Sequence, residues 1–550
     1  MKKCIFAAVA IIMLLGAQAY AQKPVVIMGP GLNSGRTEYH QDWNRVLSPD
    51  TVYTLTGLYY VDSTYTITVP AGTIVRGDTA ATLIVKRGAQ IFATGTEQAP
   101  IVFTSRKALG SRGPGDWGGL IVLGRAPVNK VEPLIEGGII GGSFGGNDPH
   151  DNSGIIRYVR IEFPGYRFQL NNEVNGLTMG GVGDGTEIHH VQVSYSFDDS
   201  YEWFGGTVNP HHLVAFGGTD DEFDTDFGFQ GKLQFGFGLR DPYFWDPTGE
   251  SNGFESDNDG SSTSTAVPYT APIFCNFTLV GPVISVPGNS YQYSAVLRRS
   301  TKTSVYNSVI AGYPWGVSNR DPYTHMFSMN GELQWRNVSV AATNLKTATS
   351  IHDDARWAPD SCTLWFNTAD WDNYLSTPRT LAAVGLVNQT DYNHPDPVPA
   401  IGSELDGTAD FSNPRLDDFL QVDYRGAFDP LLPMSQQWTS GWTNFDPQHT
   451  DYNAVQTGVD EIPLAGNLVQ NFPNPFNPVT TIRYTVPRTG HVSLIVYNVQ
   501  GQRVATLLDG QKAAGTYDVS FNAKGLSSGT YFYSFSGEGF KETHKMVLLR

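Results

Sequence analysis

The sequence predicts an all-β protein: a right-handed parallel β-helix, in which the chain coils through stacked turns of short strands, followed by a small β-sandwich. Three observations carry this expectation. From about Tyr53, apolar runs of three to five residues recur with Gly, Pro, Asp or Asn between them. Part of the middle repeats with an offset of 22 residues, about one turn of such a coil. Helical periodicity is nearly absent, and 59 Gly and 33 Pro favour many turns.

The elements follow in chain order. Lys2 and Lys3 precede an apolar run from Phe6 to Leu15, too short to span a bilayer, and Ala19-Tyr20-Ala21 is a small-x-small cleavage pattern. Residues 1–21 therefore read as a secretory signal peptide, with maturation near Ala21. Cys4 precedes the apolar run and cannot be a lipoprotein cysteine. Residues 22–52 read as a lead-in or cap. Residues 53–345 read as the β-helix, with strands at Tyr65-Thr66-Ile67-Thr68-Val69, Thr73-Ile74-Val75, Leu83-Ile84-Val85, Ile91-Phe92-Ala93, Ile101-Val102-Phe103 and Leu120-Ile121-Val122-Leu123. The repeat sets His189-His190-Val191 over His211-His212-Leu213, Asp198-Asp199 over Asp220-Asp221, Tyr201 over Phe223 and Glu202 over Asp224. Asn276, Asn307 and Asn337 stand in similar contexts; they read either as an inward stack at a coil corner or as plain turn asparagines. Residues 346–459 read as a less regular end of the body and a linker, with short helices expected at Thr380–Val387 and Leu416–Gln421. Sequence alone does not decide whether Cys275 and Cys362 pair.

Residues 460–550 read as the sandwich. Pro473-Asn474-Pro475-Phe476-Asn477-Pro478 is a stiff, extended lead. Alternating strands follow at Val492 to Val496, Tyr517 to Phe521, Tyr531 to Phe535 and Lys545 to Leu549, with turns at Tyr497-Asn498-Val499-Gln500-Gly501 and Leu526 to Thr530.

Charge bounds the function. The formal net charge is −17, and loss of Lys2 and Lys3 with the leader brings it to −19. Such a surface repels nucleic acid and anionic lipid and suits cations. The densest acidic patch is the repeat. Asp198, Asp199 and Glu202 would lie one turn above Asp220, Asp221 and Asp224, with Asp226 beside them. Carboxylates about 5 Å apart must share protons or a cation. Outside a cell the expected cation is Ca²⁺; the alternative is a set of solvated turn carboxylates. Glu255, Asp257 and Asp259, followed by Gly260, match the first half of a calcium loop, although Ala266 stands where its last carboxylate belongs. Tyr201, Trp203 and Phe204 are candidates to stack on sugar rings. The histidine pairs read as stacked corner residues rather than a metal site, because no Cys or carboxylate follows on the same strand. Gly180 to Gly185 reads as a wide turn and lacks the Lys-Ser/Thr of a phosphate loop. No catalytic residues can be assigned: there is no Gly-x-Ser-x-Gly elbow, and Arg240, next to Asp241, reads as a salt-bridge partner rather than the base of a lyase.

Two resemblances sharpen this reading. Gly115-Asp116-Trp117-Gly118-Gly119-Leu120-Ile121-Val122-Leu123-Gly124, Arg157-Tyr158-Val159-Arg160-Ile161-Glu162 and Tyr201-Glu202-Trp203-Phe204-Gly205-Gly206 resemble a group of secreted bacterial β-helix proteins. Asn474-Pro475-Phe476-Asn477-Pro478, Tyr497-Asn498 with Gly501, Gly529-Thr530-Tyr531 and the terminal strand resemble the type IX secretion C-terminal sorting domain, an immunoglobulin-like sandwich. The second resemblance implies that the outer-membrane secretion machinery recognises 460–550, and an extracellular or cell-surface location. The expected function is a non-catalytic surface protein for adhesion or binding of an extracellular polysaccharide, with structural Ca²⁺, no organic cofactor, no nucleic-acid partner and no transmembrane segment. The alternative is a polysaccharide lyase or glycoside hydrolase on the same fold.

Overall fold

The computed structural model describes residues 23–168, 173–247, 249–283, 291–341, 361–376, 381–386, 391–452, 469–472, 474–486, 490–500, 502–512, 515–537 and 540–549. The chain divides into two units, one through Gln456 and one from Thr457. The signal-peptide expectation lies outside the described residues, as does the side chain of Cys362. Cys275 is buried and donates Sγ–H to Asn276 Oδ1 at 3.2 Å.

The first unit is a parallel β-helix with three faces. Its first turn is Val25–Met28, Glu38–Gln41 and Arg45–Val46; its second is Val52–Leu55, Leu58–Val61 and Thr66–Pro70, and each strand pairs in parallel with its counterpart one turn on. The coil thus begins inside the segment expected to be a lead-in. The second face runs from Glu38–Gln41 to Trp315–Asn319 as a ten-stranded parallel sheet. Faces three and one merge from Gly154–Glu162 through Ile273–Val280, because single strands such as Glu187–Ser194 and His211–Phe216 cross the corner between them; the next turns divide again, into Ser304–Tyr306 and Val309–Ala311 and then Trp335–Arg336 and Ser339–Ala341. In the repeat, His189 pairs with His211, Tyr201 with Phe223 and Glu202 with Asp224, the register that the 22-residue offset predicts.

Strand alternation builds the core. On Tyr201–Gly206, Tyr201 and Trp203 point inward; Tyr201 stacks on Phe223 with ring centroids 5.4 Å apart, and Trp203 on Phe229 at 5.4 Å. The column continues through Phe254 and Ala295. Each such buried side chain contributes about 1.5–3 kcal/mol from apolar burial.

One corner is turned by a single residue in the left-handed region at successive turns: Tyr158, His190, His212, Phe235, Asn276, Asn307 and Asn337, with φ of 49°, 52°, 57°, 60°, 57°, 47° and 60°. The asparagines are therefore a corner stack. Asn337 Nδ2 donates to Asn307 Oδ1 at 2.7 Å, and Gln234 Nε2 to Asn276 Oδ1 at 3.0 Å. Asparagine tolerates this conformation better than other residues with a Cβ.

Residues 405–452 form a strap that runs back along this corner. Asn337, Asn307 and Asn276 donate to the carbonyls of Thr408, Asp410 and Tyr424 at 2.7, 3.0 and 3.0 Å. Trp438 and Trp442 pack edge-on to His190, and Tyr452 Oη donates to Glu162. The strap corrects the helix expectations. Of the first expected helix a single turn at Leu381–Val384 is seen, Thr380 and Val387 lying outside the described residues; the second is a single turn at Pro414–Leu416, because the strap's backbone there is held by side chains rather than by its own periodicity. Helices at Pro322–Met329 and Ser361–Phe366 were not foreseen. Gly180 lies inside the strand Leu177–Val182, so the expected turn is confined to the residues after Val182; a Cβ on Gly180 would stand 2.7 Å from the Phe144 ring.

The second unit has two antiparallel sheets. Val469–Phe472, Val479–Val486 and Gly515–Asn522 form one; Arg503–Lys512, Gly490–Asn498, Gly529–Gly537 and Phe540–Leu548 form the other. Their alternating apolar residues, among them Ile482, Leu494, Val496, Phe521, Phe535 and Met546, share one buried core. The Asn-Pro-Phe motif is pinned to the last strand: Val547 N donates to Asn474 Oδ1 at 2.9 Å, and Leu549 N to Phe476 O at 2.9 Å. No helix among the described residues is long and apolar enough to cross a membrane.

Candidate cation site on the second face

The alternation that buries Tyr201 and Trp203 turns Glu202 outward, and Asp224 and Glu255 occupy the same column on the next two turns. The turns that precede these strands supply Asp198-Asp199 and Asp220-Asp221. Asp221 N donates to Asp199 Oδ1 at 2.8 Å, which locks one turn to the next.

Two groups of carboxylates converge: Asp198, Asp199 and Asp220, and Asp199, Glu202 and Asp224. Within each group the oxygens lie within 4.8 Å of one another. Oxygens bound to one Ca²⁺ at about 2.4 Å stand at most about 4.8 Å apart, so each group fits around a single ion. A second observation points the same way. Asp224 Oδ1 and Asn175 Oδ1 are buried oxygens that receive no hydrogen bond, a rare condition for native acceptors. Asn175 Nδ2 meanwhile donates to Glu136 at 2.9 Å and to Glu202. Asn175 and Glu136 were missed in the sequence because they arrive from the turns before Leu177–Val182 and from a long loop. The only signal was their acidic, amide-rich neighbourhood.

Electrostatics agree. Burial, and then the neighbouring carboxylates, hold Asp198, Asp199, Glu202, Asp220, Asp221 and Asp224 well above the ordinary carboxylate range. Asp226 and Glu255 are raised as well, by burial first. Bare carboxylates cannot all stay charged at this spacing; protons or cations must neutralise them.

The other predicted ligands part company with the cluster. Asp221 accepts from Asn252 N, and Asp226 from Phe227 N at 2.6 Å. Glu255 and Asp257 are neutralised by arginine: Arg298 pairs with both, and Arg299 Nη1 stands 2.6 Å from Asp257. Glu255 lies in the strand Phe254–Ser256, an extended path that cannot curl round an ion, so the expected calcium loop does not form. Asp259 closes a small turn, accepting from Ser261 N at 2.7 Å and Ser264 Oγ at 2.5 Å.

The three predicted sugar-stacking residues are also corrected. Tyr201 and Trp203 are 0% exposed in the core, and Phe204, on the outer side, is covered by Phe144 and Phe227. Arg240 is buried with its Nε 2.5 Å from Glu222, not paired with Asp241, and Tyr313 Oη donates to the same carboxylate at 2.6 Å. Burial pushes Glu222 up to about 7 despite that pairing.

An open groove of about 610 Å³ is lined by Asn33, Arg36, Thr79, Tyr166 and Phe168. The Arg36 guanidinium lies 3.5 Å over the Phe168 ring and donates to the carbonyls of Gly137 and Gly138. Glu136 adjoins those glycines in sequence, and Arg167, between the two groove aromatics, pairs with Glu173.

Comparison with protein families gives two matches. A pectate-lyase-like β-helix domain matches residues 38–378, and a secretion system C-terminal sorting domain matches residues 470–549. No curated protein matches the chain.

Proposed function

This chain belongs to the pectate-lyase-like β-helix family and carries a C-terminal sorting domain that marks it as secreted or cell-surface, and from that premise we propose that it is a non-catalytic glycan-binding surface protein whose acidic second face is set by Ca²⁺. The observation that carries this reading is the convergence of Asp198, Asp199, Glu202, Asp220 and Asp224, with Asp224 Oδ1 buried and without a donor. The sugar would lie in the groove of Tyr166, Phe168, Asn33 and Arg36, where aromatic faces and a polar rim meet. Bound Ca²⁺ would hold Glu202 and, through Asn175, the Glu136 loop that borders this groove. The leader is removed near Ala21 in this reading, and the secretion machinery takes the C-terminal unit.

The test is a glycan-binding screen with and without Ca²⁺. Acidic polysaccharide should be retained in Ca²⁺ and released by chelation, and Phe168→Ala should weaken retention about tenfold without changing the Ca²⁺ affinity. A second reading, a carbohydrate-active enzyme, draws on the family's lyase-like fold and on carboxylates at the spacing of a retaining pair. Release of reducing ends or of unsaturated uronates by the purified protein would establish it and overturn the binding reading.

A further inference from the structure

The corner stack carries a second cluster, on the opposite side of the turn from the acidic face and unused by the function above. His189 and His190 on one turn lie over His211 and His212 on the next. His189 stacks on His211 with centroids 4.9 Å apart and 6° between planes, and His190 on His212 at 4.5 Å and 7°. Within each pair the rings meet nearly edge to face, at 81° and 77°. This brings Nδ1 to Nδ1 at 2.7 Å in the first pair and 2.6 Å in the second. Ring nitrogens of His190, His211 and His212 lie within 4.8 Å of one another. Three of the chain's 12 histidines therefore bring ring nitrogens to one spot, with His189 Nδ1 beside His190.

Two lone pairs cannot face each other at that distance. A proton or a cation must stand between them. The tautomer of His189 bears on which. Its Nε2 lies 3.1 Å from Glu187 Oε1, a carboxylate that only accepts, so Nε2 carries the hydrogen and Nδ1 is a bare donor atom aimed at His190. A carboxylate on the far nitrogen is the second-sphere arrangement that orients metal-bound imidazole. With a metal–imidazole bond of about 2.0 Å, adjacent nitrogens stand about 2.8 Å apart in a square and about 3.3 Å in a tetrahedron. The observed 2.6 and 2.7 Å match two opposite edges of the square; the rings of successive turns stack 4.9 and 4.5 Å apart, so the other two edges must close on the ion as it binds. All-nitrogen tetragonal sites are the preference of Cu²⁺, which also tops the divalent affinity order.

The corner itself argues that histidine is there for its nitrogens. His190 and His212 occupy the left-handed positions that the later turns give to Asn276, Asn307 and Asn337. Asparagine would relieve the backbone, yet histidine appears at two consecutive turns, each time with a second histidine before it. Tyr158 and Phe235 close the stack at either end, at 4.5 and 4.8 Å, and Trp438 and Trp442 of the strap form one wall. His189 keeps 16% of its side chain exposed, which leaves a way in.

We propose that His189, His190, His211 and His212 form a Cu²⁺ site on the third face, with Glu187 as the residue that positions His189. The experiment uses the mature full-length chain, stripped of metal, titrated with Cu²⁺ against a competing chelator and followed by electron paramagnetic resonance. One tight Cu²⁺ per chain is expected, with a tetragonal spectrum split by nitrogen. His190→Asn with His212→Asn places the residue of the later turns at the corner and should lower the affinity by on the order of 100-fold; Glu187→Gln should lower it by roughly tenfold. His189→Asn with His211→Asn removes the same nitrogens from regular strand positions and should give the same loss without touching the corner. Tight Cu²⁺ that survives in both double variants, a spectrum with no nitrogen splitting, or no tight Cu²⁺ in the parent protein overturns the proposal.

Discussion

At the scale of single residues, the second face is a store of suppressed negative charge. The raised carboxylates of Asp198, Asp199, Glu202, Asp220 and Asp224 fix the sign of its pH dependence. In the unfolded chain these groups lose their protons near pH 4. In the metal-free fold they keep them to higher pH, so above pH 4 the native state binds more protons than the unfolded one. Stability without metal should therefore fall as pH rises from 4 through the raised native values. Ca²⁺ should reverse the trend, with a melting-temperature increase that is larger at pH 8 than at pH 5 and that is lost in Asp199→Asn/Asp224→Asn. Thermal melts at several pH values, with Ca²⁺ and with chelator, check both signs. Arg240 makes a different prediction. Its partner Glu222 is 2% exposed, so Arg240→Met leaves a buried carboxyl without its counter-ion. The variant should lose about 3–5 kcal/mol in denaturant unfolding, while glycan retention by the fraction that stays folded is unchanged.

At the scale of elements, the corner is where sequence and structure meet most closely. The 22-residue offset foretold the register of His189 on His211 and Glu202 on Asp224 because no loop interrupts those two turns. Period-2 alternation is equally readable in Tyr201-Glu202-Trp203-Phe204. Applied there, it separates Glu202 from its inward neighbours and removes Tyr201 and Trp203 from any surface role. Glu136, Asn175 and the covering of Phe204 by Phe144 were beyond local pattern, since they depend on where a long loop folds back. Asn307 shows what the corner is worth. It is 0% exposed, donates to Asp410 O, and accepts from Asp410 N at 2.9 Å and from Asn337. Asn307→Ala strands buried polar groups on the strap and on the next turn, and puts a Cβ residue of low tolerance at a left-handed position. A loss of about 3–5 kcal/mol is expected, and Asn307→Gly should recover about 1 kcal/mol of it by easing the backbone. Equilibrium denaturation of the three proteins side by side decides this.

At the scale of the whole molecule, the β-helix and the sorting domain fall in separate units. The sorting unit has its own two-sheet core, closed by the Asn474 and Phe476 contacts to the last strand. Removing it from Thr457 onward should leave a body that melts as before but accumulates inside the cell envelope; fractionation and surface immunolabelling check this. The body's helix was legible because its strands repeat, whereas the strap was not, because its order comes from the corner it lies on. That strap has a consequence for how the body holds together. An ordinary solenoid is nearly one-dimensional: each turn touches only its neighbours, so ends fray and segments melt separately. Here Tyr452 reaches Glu162 across 290 positions of sequence, and Thr408 to Asn444 touch the turns between. The last part of the body to be made is thus the part that ties the earlier turns together, and the coil should unfold as one cooperative block, slowly, with its seam opening first.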